Sequence, residues 1–287
     1  MLTIVSIKEA TKEVVRSTLP LGIRKHLAVW LNHQKWISDN RRSWWCTELI
    51  RDLERLDINE YHKFLWSHHL AYAAPYETKL RFGYDNMKES RKILFSDLRT
   101  HLTKLTVKPD KDITSVFEVG CSLGYQLRYL ETDLFPSAID LEGIDIDRYA
   151  VESGSEYLKS LGSKVRLMFA DMEDLCSLLK NRMCDIIICA GTLMYLNEDA
   201  ASKVIDIMLD HTKMMLVLTG PAHLEIDNSQ LEHSMIRNRD GSFIHNIDSM
   251  VKKAGGNIVA RRWEGNKMVD GHTIYFVFAA KVLKRNQ

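Results

Sequence analysis

SVFEVGCSLGY, residues 115–125, decides the fold of this chain. Val116, Phe117 and Val119 have the β-branched and aromatic character of a buried strand. Gly120, Ser122 and Gly124 follow as a loop, and Tyr125–Leu130 begins a helical pattern. A glycine-rich turn between strand and helix lets backbone approach a ligand, and the free N–H groups of the helix N-terminus add donors. Such a site wants an acidic residue at the tip of the next strand, about 20 residues on, to hold ribose hydroxyls. Asp145, in Gly143-Ile144-Asp145-Ile146-Asp147, fills that place.

The flanking sequence alternates in the same way. Leu141–Asp145, Val165–Phe169, Asp185–Cys189 and Met214–Thr219 are further β-prone runs, separated by helical patterns such as Arg148–Ser160 and Asp199–His211. This alternation predicts right-handed βαβ units and a mainly parallel sheet. A short helix near Asp248–Ala254 precedes two last runs, Asn257–Trp263 and Thr273–Lys281, with Glu264-Gly265-Asn266 read as their turn. A short connection demands an antiparallel pair. The expected fold is therefore an α/β, Rossmann-like, mostly parallel seven-stranded sheet closed by a C-terminal antiparallel hairpin.

Before the sheet the texture is helical. Leu27, Ala28, Trp30, Leu31 and Trp36 recur at helical spacing, as do Trp44, Trp45, Leu49, Leu53 and Leu56. Asn59–Ala74 is rich in aromatics and histidine until Pro75, and Asn86 with Glu89 resembles a capping box before Ile93, Leu94, Leu98 and Leu102. These patterns predict a helical cap over residues 1–110 and a ligand-binding core over residues 111–287.

Three readings compete for the loop. A dinucleotide site wants G-x-G-x-x-G, which is absent. G-x-S-x-G is the nucleophile elbow of α/β-hydrolases and would make Ser122 a nucleophile, but in a hydrolase several strands precede the elbow. The third reading is a resemblance. Glu118-Val119-Gly120-Cys121-Ser122-Leu123-Gly124 resembles the first motif of the class I S-adenosylmethionine-dependent methyltransferases, with Ser122 in place of a middle glycine. The similarity extends over residues 113–281.

The resemblance implies S-adenosylmethionine as cofactor and a set of contacts. Glu118, Gly120, Cys121, Ser122 and Gly124 would surround its methionine part. Asp145, with Ile146 beside it, would take the ribose. Asp171 and Met172 would contact adenine, though Asp171 also reads as an ordinary helix cap before Glu173-Asp174. In DIIICAGTLMYL (185–196), Ala190, Gly191 and Tyr195 would lie near the methyl.

Ligands of open α/β sheets bind beyond the carboxyl ends of the strands. The loop after Met214–Thr219 reaches that edge with Gly220-Pro221-Ala222-His223, then His233, Arg237, Arg239 and Phe243-Ile244-His245-Asn246. An acceptor that must lose a proton benefits from a base near neutrality, so His223 and His245 are the expected general bases. Tyr76, Arg81, Phe82, Tyr84 and Arg91 form a second candidate set, for the cofactor carboxylate or for a solvated surface. No histidine spacing is a compact ligand motif, so no metal residue is assigned, and a divalent ion is not the favoured reading.

Composition bounds the rest. The chain has 287 residues, 45% hydrophobic and 27% charged, enough for a large core without disulfides. Lys plus Arg number 39 against 38 Asp plus Glu, so no basic surplus supports a nucleic-acid partner. Five cysteines without C-x-x-C suit a reducing compartment. No apolar run approaches a membrane span and no signal peptide is read, so a cytoplasmic protein is expected. The expected function is methyl transfer to a small molecule at O, C or N, with a protein or RNA acceptor as the alternative; oligomeric state stays open.

Overall fold

The computed structural model describes residues 18–34, 36–70, 87–238 and 240–281. Tyr72, Pro75, Tyr76, Arg81, Phe82, Tyr84, Asn86 and Arg239 lie outside these residues, with the readings made on them. Contacts divide the chain into two units, Met1–Lys79 and Leu80–Gln287.

Among the described residues the first unit has three helices: α1 (Leu21–Asn32), α2 (Asp39–Leu56) and α3 (Ile58–Ser67). Cys46, Leu49, Ile50 and Leu53 fall three and four apart, so α2 turns one apolar stripe to Ala28, Tyr61 and Phe64. Asp57 starts α3 by accepting from the N–H groups of Asn59 and Glu60, both at 3.0 Å. The tryptophan spacing misleads here. α1 stops at Asn32, and Trp30 and Trp36 are 53% and 77% exposed.

The second unit contains the sheet. Strands β1 (Ser115–Val119), β2 (Asp140–Asp145), β3 (Arg166–Phe169), β4 (Cys184–Ala190) and β5 (Thr212–Gly220) pair in parallel. A ribbon of β6 (Met235–Ile236) and β7 (Phe243–Ile244) stands apart. The last strands, β8 (Gly256–Val269) and β9 (His272–Lys281), complete the order β3-β2-β1-β4-β5-β9-β8. β9 is antiparallel to both its neighbours. The fold expected from the sequence is therefore present.

Strand alternation sorts side chains onto two faces. Val116, Ile186, Ile188, Met215, Val217, Phe276 and Phe278 share one core with Leu94, Phe95, Leu98 and Leu102 of helix α4 (Glu89–Lys104). Short helix α5 (Tyr125–Tyr129) adds Leu127 to it. Phe117, Val119, Ile187, Cys189, Leu216 and Leu218 face the other way. There they meet α7 (Glu198–Asp210) and α8 (Ile247–Lys253), while α6 (Arg148–Ser160) crosses between β2 and β3. By its contacts α4 thus belongs with the sheet, in the unit Leu80–Gln287.

One local expectation needs correction. The final turn is not Glu264-Gly265-Asn266, because β8 runs through those residues. It is Asp270-Gly271, with φ of 53° and 76°, closing the Val269–His272 pair. Two consecutive positive φ angles are what a two-residue hairpin with right-handed strand twist requires, and Asp-Gly accepts them. Gly265 is a glycine for another reason: a Cβ there would stand 2.1 Å from the His223 carbonyl oxygen. The start of α4 is held from a distance. Its preceding residue, Lys88, makes no side-chain cap. The cap comes from the hairpin tip, where Asp270 Oδ2 accepts from Ser90 N–H at 2.8 Å.

Candidate active site

β1 ends in a loop that folds back on β2. The N–H groups of Gly120 and Cys121 both donate to the Ile144 carbonyl, at 2.8 and 2.9 Å. Gly120, Ser122 and Gly124 have φ of 77°, 52° and 74°, so the three positions of the motif all take the left-handed region. That explains why glycine suits the middle position and what serine there withstands, about 1–2 kcal/mol of backbone strain. The glycines face protein. A Cβ on Gly120 would come within 2.0 Å of Thr192 Oγ1, and one on Gly124 within 2.8 Å of Leu167. Close packing of the β4 exit and of β3 therefore demands them, rather than ligand volume as such.

Asp145 organises the loop. Its Oδ2 accepts from Ser122 N–H at 2.7 Å and its Oδ1 from Asp147 N–H at 2.9 Å. Ile146 N–H adds a third backbone bond, which leaves the carboxylate capacity for a further donor. Burial pushes its carboxyl up to about 6 against the pull of these backbone bonds. Asp147 in turn caps α6 through Ala150 N–H, and the Asp145 carbonyl takes Ala170 N–H at 3.0 Å, which ties in the end of β3.

Glu118 lies on the face of β1 turned toward α4, with no solvent exposure. Its Oε1 accepts from Gln126 Nε2 at 2.8 Å, whereas its Oε2 and Gln126 Oε1 are buried without a partner. Burial raises its carboxyl to about 8, Arg91 opposing and Asp145 reinforcing the shift. Arg91 reaches this edge from α4. Its guanidinium donates to the Ala190 carbonyl at 3.0 Å and to Thr219 Oγ1 at 3.5 Å, and it also bonds Tyr125. Tyr125, Gln126, Thr192 and Thr219 are thus groups at this edge that residue patterns did not assign. Arg91, one of the candidates for the cofactor carboxylate, carried a further signal: it falls three, seven and eleven residues before Leu94, Leu98 and Leu102, an arginine on the apolar stripe of its helix.

The other residues assigned from the sequence behave differently. Asp171 caps a single turn through Glu173 N–H at 3.0 Å, and Met172 packs half-buried on the second core. Cys121 and Cys189 are buried thiols raised by desolvation, Cys189 to about 12. Tyr195, in the turn after β4, is raised to about 12 by burial first and Asp240 second, with Arg237 opposing. Ile146 is half-buried at the β2 exit, and Gly191 at the β4 exit has φ of 80°.

Neither histidine has the free nitrogen a general base needs. His245 is 2% exposed; its Nδ1 pairs with Ser234 Oγ at 2.7 Å and its Nε2 with the Leu193 carbonyl at 3.1 Å. A carbonyl can only accept, so Nε2 carries the proton. Burial holds the ring below the usual histidine range. His223 Nδ1 accepts from the N–H groups of Glu225 and Ile226, at 3.2 and 3.1 Å. Its proton therefore also sits on Nε2, which leaves His223 a donor. His233 is exposed, 3.9 Å from Glu198. Among the described residues no group of three or more His, Cys, Asp or Glu is placed to hold a metal ion.

The loop fits an adenosyl amino acid on two counts. Asp145 offers a carboxylate with spare acceptor capacity to a ribose hydroxyl, and the orphaned Glu118 Oε2 and Gln126 Oε1 want donors such as an ammonium.

Comparison with known proteins agrees. Residues 116–214 match the family described as a methyltransferase domain. No curated protein is matched. A solved S-adenosylmethionine-dependent methyltransferase from Clostridium acetobutylicum ATCC 824 is similar at 15% identity and a TM-score of 0.50, over 71% of this chain and 98% of that one. Magnesium protoporphyrin IX methyltransferase from Synechocystis PCC 6803, with bound SAH, is similar at 14% identity and a TM-score of 0.49, over 67% and 84%. The N-methyltransferase NodS from Bradyrhizobium japonicum WM9, in complex with S-adenosyl-l-homocysteine, is similar at 16% identity and a TM-score of 0.49, over 69% and 90%. The domain match stands on the strand whose loop carries the glycine motif and covers about a third of the chain, so the segment from β1 into β5 is similar to a methyltransferase domain.

Proposed function

We propose that this enzyme methylates a small metabolite at oxygen, carbon or nitrogen. When bound, S-adenosylmethionine supplies a methyl group already activated by its sulfonium. The protein's task is then to position the acceptor and keep water out. In this reading Asp145 takes the ribose, with Ile146 beside it, and Asp171 and Met172 border the adenine. Glu118 and the backbone of Gly120, Cys121, Ser122 and Gly124 hold the amino-acid end. Ala190, Gly191 and Tyr195 line the approach to the methyl, and Arg91 faces the carboxylate.

The observation that carries the choice of acceptor is charge balance: 39 basic against 38 acidic residues gives no field for a nucleic-acid backbone. The acceptor side agrees, since Arg237 beside Tyr195 is already paired with Asp240. His223 enters as a hydrogen-bond donor to the acceptor through Nε2. No described helix is long and apolar enough to cross a membrane.

The test is transfer of label. Protein, methyl-labelled S-adenosylmethionine and a fractionated extract are incubated, and label is counted in small-molecule and macromolecular fractions. Label in the small-molecule fraction is expected. Label confined to protein or RNA would replace this reading with the macromolecular one.

A further inference from the structure

The amino-acid end of the site contains a carboxyl group that the fold leaves half satisfied. Glu118 is fully buried, and one of its two oxygens, like the adjacent Gln126 Oε1, has no partner. The groups that face it come from four elements and the loop itself. α4 supplies Arg91, the opposing cation, and β2 supplies the like charge of Asp145. The loop, α5 and β4 supply Cys121, Tyr125 and Cys189, each of whose own titration feels the Glu118 charge and each of which is neutral near pH 7. Arg91 attracts Glu118 through space only. Its hydrogen bonds go to the Ala190 carbonyl, Thr219 and Tyr125. A carboxylate so placed has lost water on every side and has gained a single neutral amide donor.

We propose that Glu118 exchanges a proton with solvent as the cofactor binds. In the free enzyme the carboxyl is neutral. The cofactor's ammonium then meets the unpartnered Oε2, the carboxylate forms, and the displaced proton leaves to the buffer. The balance is one carboxylic acid plus one ammonium giving one carboxylate–ammonium pair plus one proton. The direction agrees with a free-enzyme carboxyl raised to about 8. At pH 7 such a group is about nine-tenths protonated, so binding should release close to one proton. Asp145, raised only to about 6, is largely ionised at pH 7 and adds about a tenth.

This inference rests on the cofactor assignment above, and calorimetry separates the two. Full-length protein is titrated with S-adenosylhomocysteine at pH 7 in buffers of different ionisation enthalpy; the slope of observed heat against that enthalpy counts protons. The expected slope is close to one released in the wild type and near zero in Glu118→Gln, which keeps the shape and a partner for Gln126. The wild-type Kd should tighten roughly tenfold from pH 6.5 to 7.5, and the Glu118→Gln value should stay flat over that range. Binding heat with no buffer dependence overturns this proposal while leaving the cofactor assignment standing, as does a slope retained in Glu118→Gln. No binding heat overturns both. Should Glu118→Gln fail to fold, infrared difference spectra of wild type with isotope-labelled glutamate decide. Loss of a carboxylic-acid band on adding S-adenosylhomocysteine supports the exchange, and an unchanged carboxyl region overturns it.

Discussion

Two loops leave the same edge of the sheet, and they treat their polar groups in opposite ways. The loop after β1 leaves polar atoms unpaired. Glu118 Oε2 and Gln126 Oε1 are buried with no partner, and the Asp145 carboxylate keeps acceptor capacity beyond its backbone bonds. The loop after β5 uses its polar atoms on itself. Asn228, with no solvent exposure, bonds the carbonyls of Pro221 and His245, the N–H of His223 and the indole of Trp263. His223 and His245 are held in the same manner. Histidines on a loop thus say little about catalysis until their nitrogens are accounted for. An unsatisfied buried carboxylate says a great deal, because folding leaves such a group only where something else completes it.

The harshest way to break the first loop is Gly120→Ala. The added Cβ meets Thr192 at its hydroxyl and also at its Cβ, 2.7 Å away, so no rotamer of Thr192 relieves it. Positive φ adds its own strain. Thermal or denaturant melts should show a loss of about 3–5 kcal/mol, or no folded protein. Thr192→Ala in the same background should recover only part, since its Cβ remains. Full recovery would mean that the clash, and not the left-handed turn, sets the requirement for glycine.

Asp145→Ala is next. It removes the acceptor of two backbone N–H groups and of the proposed ribose bonds. Cofactor affinity measured by calorimetry should fall at least tenfold to a hundredfold, about 1.4–2.8 kcal/mol. An unchanged Kd would detach Asp145 from the ligand and leave it a loop organiser.

For the second loop the comparison predicts damage to stability without damage to binding. His245→Ala deletes a buried ring with both nitrogens engaged, and should cost about 2 kcal/mol of stability with cofactor Kd unchanged. The sign of its pH effect follows from a folded pKa below the unfolded one. The unfolded chain takes the proton first, so wild type loses stability as pH falls below about 6.5, and His245→Ala should lose less over that range. If the variant instead keeps its melting point and loses the neutral-pH limb of its rate profile, His245 is a base after all.

How much of this was legible follows from where the information sits. β1, Arg148–Ser160 and the tip aspartate Asp145 are local: β-branched runs, helical period and motif spacing are written in adjacent residues. The hairpin turn was misplaced because Gly265 resembles a turn glycine, while its real constraint is the His223 carbonyl about forty residues back in the chain. The α4 cap was unreadable for the same reason, its acceptor Asp270 lying 180 residues from Ser90. Arg91 stood in plain sight on an apolar stripe, yet only the docking of α4 against β4 and β5 turns an odd residue into part of a site.

The smallest expected effect sharpens the comparison most, because it asks whether the one departure from the glycine pattern is functional. Ser122 holds φ of 52° and gives its N–H to Asp145. Ser122→Gly relieves about 1 kcal/mol of left-handed strain and returns about 0.5–1 kcal/mol through a more flexible unfolded chain. Stability should therefore stay within about 0.5 kcal/mol of wild type. Ser122→Ala keeps the Cβ and the strain, and differs only in the hydroxyl. If the backbone alone serves the ligand, both variants bind S-adenosylhomocysteine within about threefold of wild type, which is under ~0.7 kcal/mol. A tenfold loss shared by both variants would make the Ser122 hydroxyl a ligand contact that a middle glycine cannot supply. A loss in Ser122→Gly alone would instead mean that the serine stiffens a loop whose left-handed turns must be in place before the cofactor arrives.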